Sequence, residues 1–385
     1  MSTSAPRPIF DDEHEQLRDT TRRFVHTKVL PHLDKWEQDG QVDRTIYQDA
    51  AEAGLIGFSI PEEYGGAGVV DFRFNAVIGE EFARAGASTV GMGITLINDI
   101  VLPYFLELTN DEQKQRWLPG VASGEKVIAV AMTEPGAGSD LAGIRTSAKR
   151  SGDHYVVDGA KTFISNGQHA DLVVVVCRTD AHPHKGLSLL VVEDGTEGFS
   201  RGRNLRKVGL HAQDTSELSF TDARVDARNL LREEGSAFYS LMGNLPQERL
   251  TIAVSAVASI EGNLARTIEY VKERRAFGQP IGSFQNSKFL LADLATQRDV
   301  ARIFIDDCIR RHTAGELTAA QAAAAKLWTT ELQVTVADRC VQLHGGYGYM
   351  AEYQVARDFT DARIQTIYGG TSEIMKEIVG KSLGL

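Results

Sequence analysis

The chain has 385 residues, of which 42% are hydrophobic and 24% charged, enough for two or three globular domains with substantial cores. Lys and Arg number 41 against 52 Asp and Glu, and this net charge of −11 argues against nucleic acid or an anionic membrane as the main partner. The three cysteines, Cys177, Cys308 and Cys340, are widely spaced. We expect reduced, mostly buried thiols, with no disulfide framework and no metal site.

No targeting or membrane-spanning signal stands out. We find no apolar run that approaches the roughly 20 residues needed to cross a bilayer, so we predict no membrane span. The first eight residues, Met-Ser-Thr-Ser-Ala-Pro-Arg-Pro, resemble neither a secretory signal peptide nor a transit peptide. A cytoplasmic location is therefore expected.

Residues 1–125 are predicted to form an N-terminal α-helical domain. Asp11 or Asp12 can cap a first helix that ends near Gly40, and a second helix follows at 43–53. Residues 54–68 hold too many glycines for a helix and are predicted to form a loop. Helical spacing resumes at 71–85 and 88–106, and Thr109 is predicted to cap one more helix.

Residues 126–232 change to the two-residue period of β-strands and are predicted to form a middle β domain. Short apolar segments alternate with turn residues, at 127–132, 155–157, 172–177, 187–192 and 216–220. No long helix separates these segments. We therefore predict an antiparallel sheet, closed as a barrel or stacked as a sandwich.

Residues 233–385 return to helical spacing and are predicted to form a C-terminal four-helix bundle. The patterns cover 234–275, 284–312 and 318–343, with shorter pieces beyond. The most informative segment is 244–250, Asn-Leu-Pro-Gln-Glu-Arg-Leu. Pro246 suits the first turn of a helix, and from Leu250 to Val271 apolar residues recur every three or four positions.

Glu248 is the candidate general base. One turn or more further along the helix, Ile252, Ser255 and Ser259 are small or apolar and leave room for a ligand. A carboxylate facing an apolar chamber has a raised pKa, as a base that works near neutral pH requires. The alternative is a solvent-exposed first-turn glutamate that merely favours the helix dipole.

Five short motifs follow one another along the chain. They are Met132–Asp140, Lys161–Gly167, Arg274–Gln279, Gln342–Gly346 and Tyr368–Glu373. Each alone is weak evidence, since a glycine-rich segment can be only a turn. Together, and from near Phe10 to the end of the chain, they resemble the acyl-CoA dehydrogenase family. The segments 208–215, 245–249 and 367–377 are most similar to the long-chain branch of that family.

The resemblance implies an α+β multidomain protein that binds FAD and an acyl-CoA thioester. It implies that FAD contacts are made by Met132, Thr133, Ser139, Phe163, Ser165, Arg274, Phe277, Gln285, Gln342, Gly345, Gly346, Thr371 and Glu373. Within this set, Arg274, Phe277 and Gln285 would reach the FAD of a neighbouring subunit. Across the same interface, a cofactor phosphate or adenosine would also meet Gln342, Gly345 and Gly346. The thioester would contact Ser139, Arg249 and Gly370.

Position 369 departs from many members of the family. Those members carry the catalytic carboxylate immediately after the tyrosine of the Tyr-x-Gly-Thr loop, where this chain has Gly369. The long-chain and isovaleryl branches instead carry a glutamate at the position of Glu248. The resemblance then implies that Glu248 takes the α proton, that the Gly369 N–H binds the thioester oxygen, and that the product is a trans-2-enoyl-CoA.

The resemblance also implies a homotetramer, a dimer of dimers, that passes electrons to electron-transfer flavoprotein. A branched-chain or isovaleryl-type dehydrogenase is the nearest alternative, because it shares the helix-borne glutamate. An acyl-CoA oxidase is less favoured, because such oxidases usually carry an extra C-terminal domain. A non-enzymatic acyl-CoA-binding homologue is the third alternative, and an intact Glu248 argues against it. Acyl chain length does not follow from the sequence.

Overall fold

Seven α-helices form the first part of the computed structural model, which describes residues 7–385. They are α1 (Asp12–Phe24), α2 (Leu33–Asp39), α3 (Thr45–Glu52), α4 (Phe72–Arg84), α5 (Ser88–Thr95), α6 (Leu102–Leu108) and α7 (Asp111–Ala122). The predicted helical domain is confirmed. Its first predicted helix is divided, because Pro31 has no N–H to continue the ladder between α1 and α2. As expected, Gly40 ends α2, with φ +76°.

The cap of α7 was assigned one residue too early. Asn110, not Thr109, is the N-cap, and its side chain accepts from the Gln113 N–H at 2.9 Å. The Gln113 side chain in turn accepts from the Asn110 N–H at 2.9 Å, which completes a capping box. The Thr109 hydroxyl instead donates to the Phe105 carbonyl at the end of α6.

One apolar segment is longer than the sequence pattern suggested. Ser88–Leu108, formed by α5, a π-helical segment (Leu96–Val101) and α6, has 21 residues and a mean hydropathy of 1.4, enough by length and composition to cross a membrane. The statement that no apolar run approaches that length was therefore wrong. However, 78% of its apolar window is buried inside the protein, as in a core helix.

The middle part is a curled seven-stranded sheet. Its strands are β1 (Ile128–Ala131), β2 (Ser147–Ser151), β3 (His154–Ser165), β4 (Leu172–Arg178), β5 (Leu187–Glu193), β6 (Phe199–Asn204) and β7 (Thr215–Asp226). The order is β1-β4-β2-β3-β7-β6, with β5 paired to β4. The predicted β domain is confirmed, but the sheet is not wholly antiparallel: β4 runs parallel to β1 and β2. The β2–β3 hairpin supplies the crossover that a parallel pair needs, so no helix was required.

Two strands and part of a third escaped the sequence analysis. β2 and β6 are polar and largely exposed, so they lack the alternation that marks a half-buried strand. The motif at 161–167 is mostly strand, because β3 continues to Ser165. A register irregularity between Lys161 and Ile164 interrupts its pairing with β7, and Phe163 there has φ +62°.

The last part contains the helical bundle. It consists of α8 (Ala237–Glu273), α9 (Gln285–Thr313), α10 (Ala319–His344), α11 (Gln354–Gln365) and α12 (Ser372–Ser382), with a two-stranded hairpin of β8 (Arg275–Ala276) and β9 (Gln279–Pro280) between α8 and α9. Pro246 lies inside α8 rather than in its first turn. The buried residues Ala237 and Leu241 anchor an earlier start of the helix. The carbonyl of Met242, which loses its helical donor at Pro246, belongs to a residue that is 40% exposed, so solvent can supply a donor.

α8 is held from two sides, by the N-terminal helices and by the rest of the bundle. Phe72 and Ala76 of α4 share an apolar cluster with Leu250 and Val254 of α8. Next to this cluster the buried Glu80 of α4 accepts hydrogen bonds from three guanidinium groups, those of Arg7, Arg18 and Arg302. Burial alone would raise the pKa of Glu80, and these cations hold it well below its usual value. The apolar contacts with α4 thus bury α8 at Leu250 and Val254, which follow Glu248 by two and six residues.

Candidate functional site

Glu248 lies in the fourth turn of α8, and its side chain is buried. The residue is 5% exposed, and Tyr104 Oη of α6 donates to its Oε1 at 3.1 Å. Burial raises the pKa of Glu248 to about 7, against the opposing effects of the Tyr104 hydrogen bond and the Arg249 charge. The alternative of a solvent-exposed first-turn glutamate is therefore wrong, and the carboxyl group is poised to exchange a proton near neutral pH.

Gly369 and Gly370 form a loop that packs against the face of α8 on which Glu248 and Ile252 lie. Both have positive φ, +63° and +99°. A Cβ on Gly369 would lie 2.4 Å from Cδ1 of Ile252, one turn beyond Glu248. Arg249 Nε points to the Gly369 carbonyl at 3.5 Å. Within residues 7–385 the Gly369 N–H has no hydrogen-bond acceptor, so it remains free to bind an oxygen of a ligand.

Three further groups around Glu248 were missed by the sequence analysis. Tyr104 contacts the carboxylate itself, and the buried Lys326 of α10 donates to the Gly370 carbonyl at 2.7 Å. Asp99, fully buried, accepts from Asn75 at 2.6 Å and from Thr251 at 2.9 Å. A charged residue within an apolar helical pattern was the available signal for Asp99 and Lys326, whereas nothing local marks Tyr104.

A cavity of about 520 Å³ opens one helical turn before Glu248. Asn244, Gly243 and Tyr239 of α8 form one wall. The charged residues of the lining are of both signs: Lys185, Arg232, Glu107, Glu233 and Glu234. Such a volume is within the usual range for a bound small molecule. Its mixed charge does not by itself select an anionic ligand.

The residues expected to meet a flavin ring lie together at the ends of β1 and β3. Lys161 Nζ donates to the Met132 carbonyl at 2.9 Å, and the Thr162 N–H donates to the Thr133 carbonyl at 2.9 Å. Phe163 is 66% exposed despite its large apolar ring, and its left-handed backbone is costly for a non-glycine residue. An exposed, strained aromatic residue beside the loop residues Met132 and Thr133 fits a planar ring stacked on this edge. Ser165 ends β3 and is half-buried, whereas Ser139 lies exposed in the next loop.

A second cavity, of about 540 Å³, brings together four of the predicted cofactor residues. Its lining includes Arg274, the C-cap of α8, and three residues at or just after the end of α10: Gln342, Gly345 and Gly346. A Cβ on either glycine would meet nothing within 4 Å, so the backbone is open to close approach. The Arg274 guanidinium lies 5.4 Å from the ring centre of Tyr347. An arginine, an amide and open glycine backbone suit a phosphate-bearing group such as the pyrophosphate of FAD.

Four predicted contacts lie neither at the flavin edge nor in the second cavity. Phe277 is 94% exposed at the tip of the β8–β9 hairpin with φ +51°, and Gln285 is the exposed first residue of α9. Thr371 caps α12, where its hydroxyl accepts from the Ile374 N–H, and Glu373 is exposed in the first turn. Within one chain these side chains have no common ligand site. Their roles at a cofactor shared between chains remain a prediction.

Three family models match the chain in succession. The acyl-CoA dehydrogenase N-terminal domain matches residues 11–125, the middle domain 129–223 and the C-terminal domain 235–384. The long-chain specific acyl-CoA dehydrogenase of Mus musculus is 46% identical over 98% of this chain and 88% of its own length. The isovaleryl-CoA dehydrogenase of Solanum tuberosum is 34% identical over 97% and 91%.

Solved structures agree with these relatives. The acyl-CoA dehydrogenase of Geobacillus kaustophilus has a TM-score of 0.96 at 47% identity, covering 99% of this chain and 100% of its own. The acyl-CoA dehydrogenase of Bacillus anthracis, complexed with FAD, has a TM-score of 0.91 at 32% identity, covering 97% and 67%. With the buried glutamate, the flavin edge and the phosphate cavity in place, the chain belongs to the acyl-CoA dehydrogenase family and is an FAD-dependent oxidoreductase.

Proposed function

We propose that the enzyme oxidises straight acyl-CoA thioesters of medium to long chain to trans-2-enoyl-CoA, with Glu248 as the base. The observation that carries this proposal is the pairing of a buried carboxyl group, whose pKa is about 7, with the free N–H of Gly369 on the same face of α8. The 46% identity to the long-chain enzyme of Mus musculus favours a long substrate.

The two groups act on adjacent atoms of the thioester. An α C–H beside a thioester is a weak acid, so Glu248 removes the proton only if negative charge on the carbonyl oxygen is stabilised at the same time. The Gly369 N–H donates to that oxygen in our proposal. FAD, when bound, supplies the acceptor for the β hydride. Burial of Glu248 keeps water from competing for the carboxylate.

Anaerobic reduction of the enzyme-bound flavin by a series of acyl-CoAs tests the proposal. We expect bleaching of the visible flavin absorbance by straight chains, fastest for medium or long ones. One methylene in an apolar pocket contributes about 1–3 kcal/mol to discrimination between substrates. The rates of flavin reduction by two acyl-CoAs that differ by one methylene should therefore differ by roughly 10-fold or more only at the chain length that just fills the pocket. If no saturated acyl-CoA reduces the flavin, the proposal is wrong.

Branched substrates are the second candidate, because the isovaleryl-CoA dehydrogenase of Solanum tuberosum also covers almost the whole chain. Isovaleryl-CoA in the same series distinguishes the two. Faster flavin reduction by isovaleryl-CoA than by any straight chain would replace the first candidate.

We further propose a homotetramer in which the Arg274 cavity of one chain meets FAD held by another, with electron-transfer flavoprotein as electron acceptor. Arg274→Ala should lose FAD on dilution at concentrations where the wild type retains it, because each charge-assisted hydrogen bond contributes about 1.5–3 kcal/mol. Flavin fluorescence released from diluted protein measures the loss. Lys272→Ala, which removes an exposed cation in the last turn of α8 that pairs only with Glu269, is the control. A wild-type monomer that keeps FAD in light scattering would contradict the shared site.

A further inference from the structure

We propose that Lys326 is a positioning residue: its ammonium group holds the Gly369–Gly370 loop so that the Gly369 N–H faces the thioester carbonyl. This rests on the proposed function, because it assigns the N–H to that carbonyl. Lys326 lies on α10, in the middle of an otherwise uncharged segment from Ala319 to Thr330. It is fully buried.

Lys326 has no carboxylate partner. Among residues 7–385 no Asp or Glu oxygen lies within ion-pair distance of its Nζ, because Glu331 pairs with Lys376 at 3.7 Å. The Lys326 hydrogen bond goes to the Gly370 carbonyl at 2.7 Å. Burial lowers the pKa of Lys326 to about 8, and the Arg249 charge acts in the same direction, against the opposing charges of Glu331 and Glu373. An unpaired buried cation is unfavourable for folding, so stability alone does not explain a lysine here.

The loop that Lys326 contacts needs anchors from outside. Two consecutive glycines with positive φ have many accessible conformations. Arg249 of α8 approaches the Gly369 carbonyl at 3.5 Å, and Lys326 of α10 donates to the Gly370 carbonyl at 2.7 Å. The two peptide planes are thus held by cations from two different helices. Lys326 makes the shorter of the two contacts.

Orientation of the loop matters because it carries the N–H. When the Gly370 carbonyl is free to rotate, the dihedral angles of Gly369 change with it, and its N–H moves relative to the thioester oxygen. A shift of about 1 Å in a catalytic group can slow a reaction ~100-fold. Loss of one oxyanion donor costs ~100- to 1,000-fold. Lys326 itself touches neither substrate nor cofactor in this arrangement.

Lys326→Met tests the proposal, because it keeps the apolar stem and removes the donor. We expect flavin reduction to slow ~10- to 100-fold, with the apparent KM changing less than ~3-fold, since the group acts on the transition state more than on binding. Thr330→Val is the control: one turn further along α10, it removes a buried hydroxyl that donates to the Lys326 carbonyl and leaves the loop contact intact.

A readout that does not depend on turnover is the carbonyl stretch of bound trans-2-enoyl-CoA, labelled with ¹³C at the thioester carbon. Hydrogen bonding weakens the C=O bond, so the wild type should show a band below the solution frequency. Lys326→Met should move the band back towards the solution value, and Thr330→Val should not. If Lys326→Met does not fold or loses FAD, Lys326→Gln, a shorter neutral donor, is measured in the same way and should shift the band in the same direction.

An unchanged band together with an unchanged rate in the folded variant overturns the role of Lys326. Failure of the proposed function is seen separately, in the wild type. There, either no acyl-CoA reduces the flavin or bound enoyl-CoA shows no lowered carbonyl band.

Discussion

Glu248→Gln should slow flavin reduction by an acyl-CoA at least ~100-fold while the protein keeps its yellow cofactor, because general-base catalysis contributes about 10²–10⁴-fold. The amide has the size of the carboxylate and retains an oxygen for the Tyr104 hydroxyl at the position of Oε1. Packing around α8 should therefore be preserved. Anaerobic stopped-flow absorbance under saturating acyl-CoA measures the rate.

Asp99 is the matched control, because it is the second buried carboxyl group near this part of α8 whose pKa is raised by burial to about 7. It accepts from Asn75 and Thr251 and contacts neither Gly369 nor Gly370. In Asp99→Asn the acyl-CoA should reduce the flavin at a rate within ~10-fold of that of the wild type, because Asp99 takes no part in the proton transfer. A slow Asp99→Asn variant with a fast Glu248→Gln variant would transfer the role of base to Asp99.

The pH profile should identify the same residue. Glu248 must be ionised to accept a proton, so the wild-type rate should rise with pH through the pKa of about 7. The Tyr104 hydrogen bond favours the ionised form and lowers this pKa. Tyr104→Phe should therefore shift the midpoint of flavin reduction to higher pH.

Moving the carboxylate from position 248 to position 369 should restore part of the activity only if Ile252 is also changed. Glu248→Gly removes the base. In Glu248→Gly/Gly369→Glu the new Cβ would lie 2.4 Å from Ile252 Cδ1, and the backbone keeps φ +63°, which costs a non-glycine residue about 1–2 kcal/mol. Ile252→Val removes Cδ1, and the next nearest atom, Cγ1, is at 4.0 Å.

We expect the triple variant to reduce its flavin at least ~10-fold faster than Glu248→Gly, and still more slowly than the wild type, because a displacement of about 1 Å can cost ~100-fold. Glu248→Gly/Ile252→Val controls for the added space. Straight and branched acyl-CoAs should be compared, since branches near the carbonyl would meet the new side chain. The triple variant, Glu248→Gly/Ile252→Val/Gly369→Glu, could be as slow as Glu248→Gly while it holds FAD and binds enoyl-CoA. In that case a carboxylate at position 369 does not reach the α carbon that Glu248 serves.

Much of this protein followed from local sequence. Apolar spacing distinguished the helical ends from the β-rich middle, because helices and strands bury residues with different periods. The motifs around Met132, Lys161, Arg274, Gln342 and Tyr368 identified the family and its cofactor, since each is a short contiguous segment. The glycine at 369 and the glutamate at 248 pointed to the base without knowledge of any long-range contact.

Other features depended on residues far apart in the chain. Tyr104 and Glu248 are 144 positions apart, and Lys326 and Gly370 are 44 apart, so no local pattern joins them. Pro246 was misplaced because buried contacts of Ala237 and Leu241 outweighed its local preference for a first turn. The parallel pairing of β1 with β4 likewise follows from a crossover of about 40 residues rather than from either strand. Local sequence determined the family motifs and predicted which residues carry the chemistry, and tertiary packing alone decided the burial that brings the pKa of Glu248 close to neutrality.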